Sequence, residues 1–251
     1  MEELLAEAEH AAVGGWDFGW LTGRVSAGGL AWEFGALVDD ACAKASSVLD
    51  VGTGGGEFLD ARQGLPARTV ATESWAPNVA VAGRRLGARG VGVVHAEAAG
   101  GNAHQDRSRP VGGRLPFRAG AFDLVVCRHE AFVASEVARV LGAGGRFVTQ
   151  QAASSSDQLR QLLALEPAPH PAMDLDLLVS QTRAGGLVVD DARAGCETVT
   201  FADIGALAWY LRMVPWAVPG FTVDRYRDAL TAAAREDLKL YQERYYLAAH
   251  P

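Results

Sequence analysis

The stretch that decides the fold is Val48-Leu49-Asp50-Val51-Gly52-Thr53-Gly54-Gly55-Gly56-Glu57. A short apolar run enters a turn with glycines at alternate positions, and a helix-like segment begins at Glu57. Glycine is needed where the backbone adopts a positive φ or comes close to a ligand, and the start of a helix offers free amides. The stretch therefore predicts a strand, a tight turn and a helix, with a ligand held close to the turn.

Apolar runs and helical segments alternate on both sides of this stretch. Further strands are predicted at 69–72, 91–94, 122–127, 142–150, 187–192, 197–201 and 244–249, and further helices at 78–86, 136–141, 157–165, 173–184 and 204–213. Strands that alternate with helices predict a mainly parallel sheet with helices on both faces. The fold class is therefore expected to be α/β.

The composition and net charge argue against nucleic acids and membranes as binding partners. The 251 residues include 23 basic and 30 acidic side chains, a formal net charge of -7, which argues against nucleic acid because such binders neutralise phosphates with lysine and arginine. The amino terminus is acidic where a signal peptide would be basic, and no apolar run reaches the length of about 20 residues that spans a bilayer. A cytoplasmic protein without a membrane partner is expected.

Neither a disulfide framework nor a metal site is predicted. Cys42, Cys127 and Cys196 are odd in number and far apart, without metal-type spacing. The acidic pairs Asp39-Asp40 and Asp190-Asp191 have no further oxygen ligands beside them in the sequence. Cys127, at the end of an apolar strand, is expected to be a core residue rather than a nucleophile.

The turn favours a ligand without a pyrophosphate. A nicotinamide fingerprint would have its third glycine at position 57, which is Glu57, and a carboxylate there suits a pyrophosphate poorly. S-adenosylmethionine carries no phosphate but has a cationic amino group, a carboxylate, a ribose diol and an adenine. Asp50, just before the turn, is therefore a candidate partner for the amino group.

Two more acids follow the next two strands. Glu73 lies about 20 residues beyond the first glycine, where an acid accepts hydrogen bonds from ribose hydroxyls. Glu97 follows the third strand, beside the small Ala98, and could accept a hydrogen bond from an adenine amino group. Each acid alone could be a solvent-facing loop residue, but three acids after three successive strands favour one binding site.

Residues 45–150 resemble the class I S-adenosylmethionine-dependent methyltransferases, and most closely the branch that acts on small molecules. The resemblance rests on Leu49 to Gly56, Glu73, Glu97, Leu115-Pro116-Phe117, Phe122 to Val126, Glu136 to Leu141 and the turn Gly144-Gly145-Arg146-Phe147. It implies a Rossmann-like three-layer sandwich whose seven-stranded, mostly parallel sheet ends in an antiparallel strand at 244–249. A polar insertion before Leu115 departs from the pattern and puts the placement of Glu97 and Ala98 in question.

The resemblance also implies the cofactor, S-adenosylmethionine, which leaves as S-adenosylhomocysteine. The residues expected to bind it are Asp50, Gly52, Thr53, Gly54, Gly56, Glu73, Ser74, Glu97, Ala98 and Arg128. Because ligands of open α/β sheets lie beyond the carboxyl ends of the strands, Arg128, His129 and Glu130 are expected beside the methyl group as the catalytic set.

Methyl transfer is an in-line displacement, so positioning could suffice, with a base assisting if the acceptor is a hydroxyl. We interpret His129 as a base or an acceptor-orienting group supported by Glu130. The alternative is that His129 only caps the next helix or bonds the loop.

The acceptor pocket is expected to use aromatic side chains from two segments, namely Trp16, Phe18, Trp20, Trp209, Tyr210 and Trp216. Core packing explains Trp209 nearly as well. The expected organisation is a helical and aromatic cap over 1–45 and a methyltransferase domain over 46–251, with a substrate-cap insertion around 202–240. The polar loop 99–114 is either a solvent loop or an active-site flap.

The leading hypothesis is methyl transfer to an oxygen or nitrogen of a small molecule by a monomer or homodimer. A ribosomal RNA methyltransferase and a non-catalytic module that binds S-adenosylmethionine remain as alternatives. A nicotinamide oxidoreductase is disfavoured by Glu57.

Overall fold

The computed structural model describes residues 1–13, 16–99, 113–153, 157–166, 173–215 and 217–251. They form two compact units. Unit 1 comprises Met1–Leu30, Ala153–Ala172 and Gly195–Glu243, and unit 2 comprises Ala31–Ala152, Met173–Ala194 and Arg244–Pro251. No helix in the described part of the chain is long and apolar enough to cross a membrane.

The described residues form eight strands in the order β1-β7-β8-β6-β5-β2-β3-β4. Their bounds are β1 Val25–Gly28, β2 Ser47–Val51, β3 Arg68–Glu73, β4 Gly92–His95, β5 Phe122–Arg128, β6 Leu141–Ala152, β7 Val188–Phe201 and β8 Lys239–His250. The helices are α1 Glu2–His10, α2 Phe34–Cys42, α3 Glu57–Asp60, α4 Ala76–Gly87, α5 Ala134–Val140, α6 Asp157–Leu162, α7 Leu175–Ala184, α8 Ile204–Met213 and α9 Arg227–Ala233.

The predicted α/β class is confirmed. The resemblance implied a sheet of seven strands, and this number is wrong by one, because the described residues form eight. The eighth strand is β1, in a segment where the sequence indicated helices and an aromatic loop. The two strands predicted at 187–192 and 197–201 are one continuous strand, β7. Separate strands were expected because the polar and small residues 193–196 interrupt the apolar pattern. The backbone nevertheless stays extended through these residues, so that β7 is continuous.

Unit 2 contains the parallel part of the sheet. β5 pairs with β2 and β6, and β3 pairs with β2 and β4, all in parallel. β8 pairs with β6 in the antiparallel sense, from Phe147↔Ala249 to Ala152↔Arg244, as expected for the last strand. All five residues of β2 are buried, which is typical of a parallel strand covered on both faces.

Helix α4 packs by its apolar face. Ala82 and Leu86, four residues apart, are fully buried and cluster with Leu59, Ala71 and Val91. Pro77 lies in the first turn of α4, where its missing N–H leaves no helical bond unmade. This packing holds the start of α4 beside the end of β3.

The Leu115-Pro116-Phe117 element is held by α5. The guanidinium of Arg139 donates to the carbonyl oxygens of Leu115 (2.9 Å) and Phe117 (2.7 Å), while the carboxylate of Glu136 accepts from the Leu115 amide at 2.9 Å. Arg139 also donates to Glu136 at 2.7 Å, and this bond holds the pKa of the Glu136 carboxyl below its usual value. Two motifs that lie 21 residues apart therefore form one interlocked structure.

Unit 1 has its own core, in which α1 packs against α8. Leu5 and Ala8 of α1 are buried together with Leu207 and Leu211 of α8. Asp203 caps α8 by accepting from the Ala206 amide at 2.9 Å and receives two hydrogen bonds from the Arg24 guanidinium, at 3.1 and 2.7 Å. β1 runs antiparallel to the second half of β7.

Candidate functional site

The carboxyl ends of β2, β3 and β5 lie together at one edge of the sheet in unit 2. The strand register places Val51 beside both Thr72 and Cys127. Because the strands are parallel, the residues that follow them emerge at the same edge. This register brings Gly52, Glu73 and Arg128 together, as the sequence predicts.

The turn after β2 requires its glycines. Gly52, Gly54 and Gly56 have φ angles of 72°, 63° and 87°, which L side chains rarely adopt. A Cβ on Gly52 would lie 2.1 Å from Cγ of Glu130, and one on Gly56 would lie 2.9 Å from Cγ of Leu86. The turn therefore allows both the loop after β5 and helix α4 to come close to the end of β2.

Glu73 lies beside this turn. Its side chain is 4% exposed, and its two carboxylate oxygens accept from the amides of Gly54 (2.7 Å) and Trp75 (2.8 Å). Burial raises the pKa of the Glu73 carboxyl, and the amide donors oppose this effect. The Ser74 amide acts on the same carboxylate. A carboxylate has about four acceptor positions, so the backbone amides do not use all of them.

Asp50 lies under the same turn and is 3% exposed. Burial raises the pKa of its carboxyl to about 6, while the Thr53 hydroxyl and the charge of Arg128 act in the opposite direction. A buried carboxylate with so little compensation has a high free energy when ionised. A cation placed beside Asp50 would lower that free energy.

The remaining residues predicted for the cofactor lie beyond β3 and β4. The Ser74 carbonyl oxygen lies 3.0 Å from Nε2 of His95, and the Ala96 amide donates to the Glu73 carbonyl at 3.0 Å. Glu97 is exposed and Ala98 is buried. Most of the polar insertion that follows, residues 100–112, lies outside the described residues, and with it most of the predicted flap.

The predicted catalytic set lies where β5 ends: Arg128 is the last residue of the strand, and His129 and Glu130 begin the loop after it. His129 has a φ of 59°, a left-handed conformation that is uncommon outside glycine. Its amide donates to the Gln150 carbonyl at 2.8 Å. The guanidinium of Arg128 lies 4.9 Å from the ring centroid of Phe58. The sequence interpretation missed Phe58 and Gln150; a polar pair, Gln150-Gln151, at the end of an apolar strand was the available signal for the second.

One alternative for His129 does not hold. Helix α5 begins after Val133, and no side chain caps its amino terminus. His129 therefore does not cap this helix, and both its amide and its ring lie against Gln150 of β6.

Cys127 and Gln151 hold the loop after β5 through the same backbone oxygen. The Cys127 thiol donates to the Glu130 carbonyl at 3.2 Å, and the Gln151 amide nitrogen donates to the same oxygen at 3.0 Å. Burial raises the pKa of the Cys127 thiol, which keeps it protonated. The arrangement suits a core residue and not a thiolate nucleophile.

The predicted acceptor-binding aromatics of unit 1 form a cluster among themselves. Trp20 stacks on Trp209 with centroids 5.3 Å apart, and Phe18 lies 6.2 Å from both Trp16 and Trp209 and 6.4 Å from Tyr210. Trp209 is 1% exposed and donates to the Ala12 carbonyl at 3.2 Å, whereas Phe18 is 37% exposed. Trp209 therefore packs in the core of unit 1. Trp216 lies outside the described residues.

Comparison with known proteins agrees with this geometry. The family model described as a methyltransferase domain matches residues 49–149, which include the glycine turn, Glu73 and the loop after β5. No curated protein gives a significant sequence match.

Solved structures share the fold at low sequence identity. The YcgJ protein from Bacillus subtilis is 19% identical, with 86% of this chain and 96% of that chain covered and a TM-score of 0.58. A protein from Bacillus halodurans, whose structure is described as that of a candidate methyltransferase, is also 19% identical, with coverage of 86% and 97% and a TM-score of 0.58. The [4+2]-cyclase SpnF is 17% identical, with coverage of 86% and 79% and a TM-score of 0.50.

These structural likenesses concern the fold alone, whereas the family match bears on the site. Residues 49–149 therefore form a methyltransferase domain by their match to the family model.

Proposed function

We propose that the chain transfers the methyl group of S-adenosylmethionine to an oxygen or nitrogen of a small molecule. The observation that supports it most strongly is the pair of buried carboxylates, Asp50 and Glu73, on either side of a turn built from positive-φ glycines. The cofactor has a cationic amino group and a ribose diol, which are partners for these two groups.

The residues fit this cofactor on grounds of charge and space. The Asp50 carboxyl, whose pKa burial raises to about 6, gains from a cationic partner. Glu73 keeps acceptor capacity for hydroxyl groups, and the amides of the glycine turn lie directly beside its carboxylate. Thr53, Ser74, Glu97, Ala98 and Arg128 complete the proposed binding set.

When bound, the cofactor supplies an electrophilic methyl group on a sulfonium. The chain then has to hold the acceptor in line with that methyl, and such positioning contributes about 7 to 11 kcal/mol to the lowering of a barrier. We propose that the loop of Arg128, His129 and Glu130 supplies the groups that orient the acceptor. The left-handed φ of His129 supports this role, because such a conformation costs free energy and occurs mainly where function requires it.

The proposed acceptor is a small molecule with a flat or apolar part. The aromatic side chains that the sequence has in residues 16–20 and 209–216 support this choice, because aromatic side chains commonly line small-molecule sites. The net charge of -7 speaks against RNA as the substrate.

Methyl transfer can be tested with cofactor that carries a radiolabelled methyl group. The enzyme would be incubated with a filtered small-molecule extract and, separately, with purified ribosomal RNA. The proposal expects label in the small-molecule fraction only. Label in RNA would select the RNA methyltransferase alternative, and tight cofactor binding without label in either fraction would select the non-catalytic module.

The cofactor site can be tested separately with two glutamates of the same region. Glu73→Gln removes the buried charge and should raise the Kd for S-adenosylmethionine at least tenfold, a loss of about 1.4 kcal/mol. Glu57→Gln is the matched control, because the Glu57 carboxylate pairs with Arg85. Equal Kd values for the two variants would contradict the assignment of Glu73.

A further inference from the structure

The side chain of His129 faces a buried amide. Gln150 is 5% exposed, and its Nε2 lies 3.5 Å from Nε2 of His129. The Gln150 Oε1 accepts from the indole Nε1 of Trp32 at 2.9 Å. Trp32, Gln150 and His129 therefore form a chain of contacts within unit 2, and none of the motifs of the sequence analysis includes Trp32 or Gln150.

The indole fixes the orientation of the amide. An indole N–H can only donate, so the oxygen of Gln150 must face Trp32 and the NH₂ group must face His129. An NH₂ group also only donates. Nε2 of His129 can meet it favourably only as an acceptor, which places the proton of a neutral ring on Nδ1.

The second ring nitrogen is also unsuited to take up a proton. Nδ1 of His129 is shielded from solvent. If the ring were protonated, an N–H at Nε2 would point at the NH₂ of Gln150, so that two donors would face each other. In this conformation neither nitrogen is open to accept a proton from an acceptor molecule.

We propose that Trp32 and Gln150 are positioning residues that lock His129 in its neutral Nδ1–H form, so that His129 orients the loop of Arg128 and Glu130 and does not act as a base. The catalytic part of this inference rests on the proposed function. It removes the base from the roles considered for His129 and assigns the ring to holding the loop in place.

Other ionisable groups lie near this end of the sheet. Arg128 ends β5 and Glu130 lies on the loop after it, Asp50 and Glu73 belong to β2 and β3, and Tyr246 of β8 is the register partner of Gln150. Variants must therefore change the group that faces Nε2 and leave these residues in place.

The tautomer can be read directly from the ¹⁵N chemical shifts of the imidazole nitrogens, with the His129 signals assigned from a His129→Gln variant. The wild type should show a neutral ring protonated at Nδ1 at pH 6. Gln150→Glu gives Nε2 an acceptor of the same shape, and the ring should then be protonated at pH 6. Trp32→Phe removes the indole donor and should produce a mixture of both neutral tautomers.

Turnover separates the orienting role from a base. Asparagine tolerates a positive φ and carries an N–H donor close to where histidine has Nδ1, but it cannot act as a base. His129→Asn should therefore retain most of kcat, while His129→Ala should lose at least tenfold, both with an unchanged Kd for S-adenosylmethionine.

Two results would overturn the inference: an Nε2–H tautomer or a protonated ring in the wild type at pH 6, or equal losses of kcat in His129→Asn and His129→Ala. The wild-type NMR measurement needs no variant to fold beyond the one used for assignment. Failure of the proposed function, seen as no binding of S-adenosylmethionine, would leave the tautomer measurement unaffected, so the two failures can be told apart.

Discussion

The two edges of the sheet in unit 2 differ in the kind of feature they present. The amino-terminal edge of β3, β4 and β5 has an open cavity of about 530 Å³, lined in part by the exposed Arg68 and Arg118 and by Phe117. At the carboxyl-terminal edge, a cavity of about 20 Å³ lies beside Glu130. Yet this second edge has the buried carboxylates of Asp50 and Glu73 and a non-glycine residue, His129, in the left-handed region.

The difference teaches that the proposed cofactor site and the large open cavity lie at opposite edges of the sheet. Burying a charge and holding a strained backbone both cost free energy, and such costs persist mainly where function requires them. An open surface cavity lined by solvated arginines has no comparable cost. The comparison predicts that substitutions at the carboxyl-terminal edge change ligand binding, while those at the amino-terminal edge change stability or nothing.

The largest effect is expected at Gly52. Gly52→Ala combines a left-handed φ with a clash against the Glu130 side chain, so the free energy of unfolding should fall by about 2 to 5 kcal/mol and cofactor binding should be lost. Gly64→Ala is the matched control at the amino-terminal edge, since Gly64 has a φ of 66° but nothing within 4 Å of a new Cβ. It should cost only about 1 to 2 kcal/mol in denaturant unfolding. Equal costs for both would contradict the close approach of Glu130.

Asp50→Asn should stabilise the ligand-free protein. Because burial raises the pKa of Asp50 to about 6, the ionised carboxylate destabilises the fold at pH 7 by about 3 kcal/mol. The neutral amide of the variant avoids this cost, so about 3 kcal/mol is the largest gain in stability expected. The same change should weaken binding of S-adenosylmethionine. A variant that is less stable than the wild type and binds the cofactor normally would contradict this account.

The sign of the pH dependence follows from the same shift. Because the folded protein holds the Asp50 proton more tightly than the unfolded chain, this contribution to stability is lost as the pH rises from about 4 to about 6. Thermal unfolding of the ligand-free wild type should show this loss relative to Asp50→Asn. Curves that stay parallel over this range would show that Asp50 keeps an ordinary pKa.

An intermediate effect on stability is expected at Arg139, whose side chain contacts the segment that precedes β5 at the amino-terminal edge. Arg139→Leu removes the donors to the Leu115 and Phe117 carbonyls and should lower the free energy of unfolding by about 1 to 3 kcal/mol. The Kd for S-adenosylmethionine should stay within twofold. A large loss of affinity at full stability would mean that this motif contacts the ligand.

The smallest effects are expected in the open cavity itself. Arg68→Ala and Arg118→Ala should each change stability by about 0.5 kcal/mol or less, because both side chains are exposed. Methyl transfer should continue at the wild-type rate in both variants. If either variant loses turnover while it remains folded, the amino-terminal edge takes part in function, and the assignment of the site to the carboxyl-terminal edge is contradicted.

The sequence predicted the parts of the site that are local in the chain. The glycines that follow β2 and the acid that ends β3 are recognisable because the strand, the turn and the spacing lie within 30 residues. Helix α8 was predicted with its observed bounds, Ile204–Met213, because its apolar residues form a continuous buried pattern.

The parts that depend on distant contacts could not be predicted in the same way. The bond between Trp32 and Gln150 joins residues 118 positions apart, and neither lies in a motif. β1 was missed because its burial is slight: only Val25 is partly covered, so the strand shows no apolar alternation. The assignment of Trp209 to the acceptor pocket stays a prediction, since the same burial serves the core of unit 1.

The most direct test of the central claim is calorimetric titration of the protein with S-adenosylmethionine and S-adenosylhomocysteine at pH 6 and pH 8, in buffers of different ionisation enthalpy. Pairing of the ligand amino group with Asp50 predicts saturable binding of both compounds, with proton release at pH 6 that falls away at pH 8 and is absent in Asp50→Asn. Folded protein that gives no heat with either compound, or binding without any proton release at pH 6, would contradict the account.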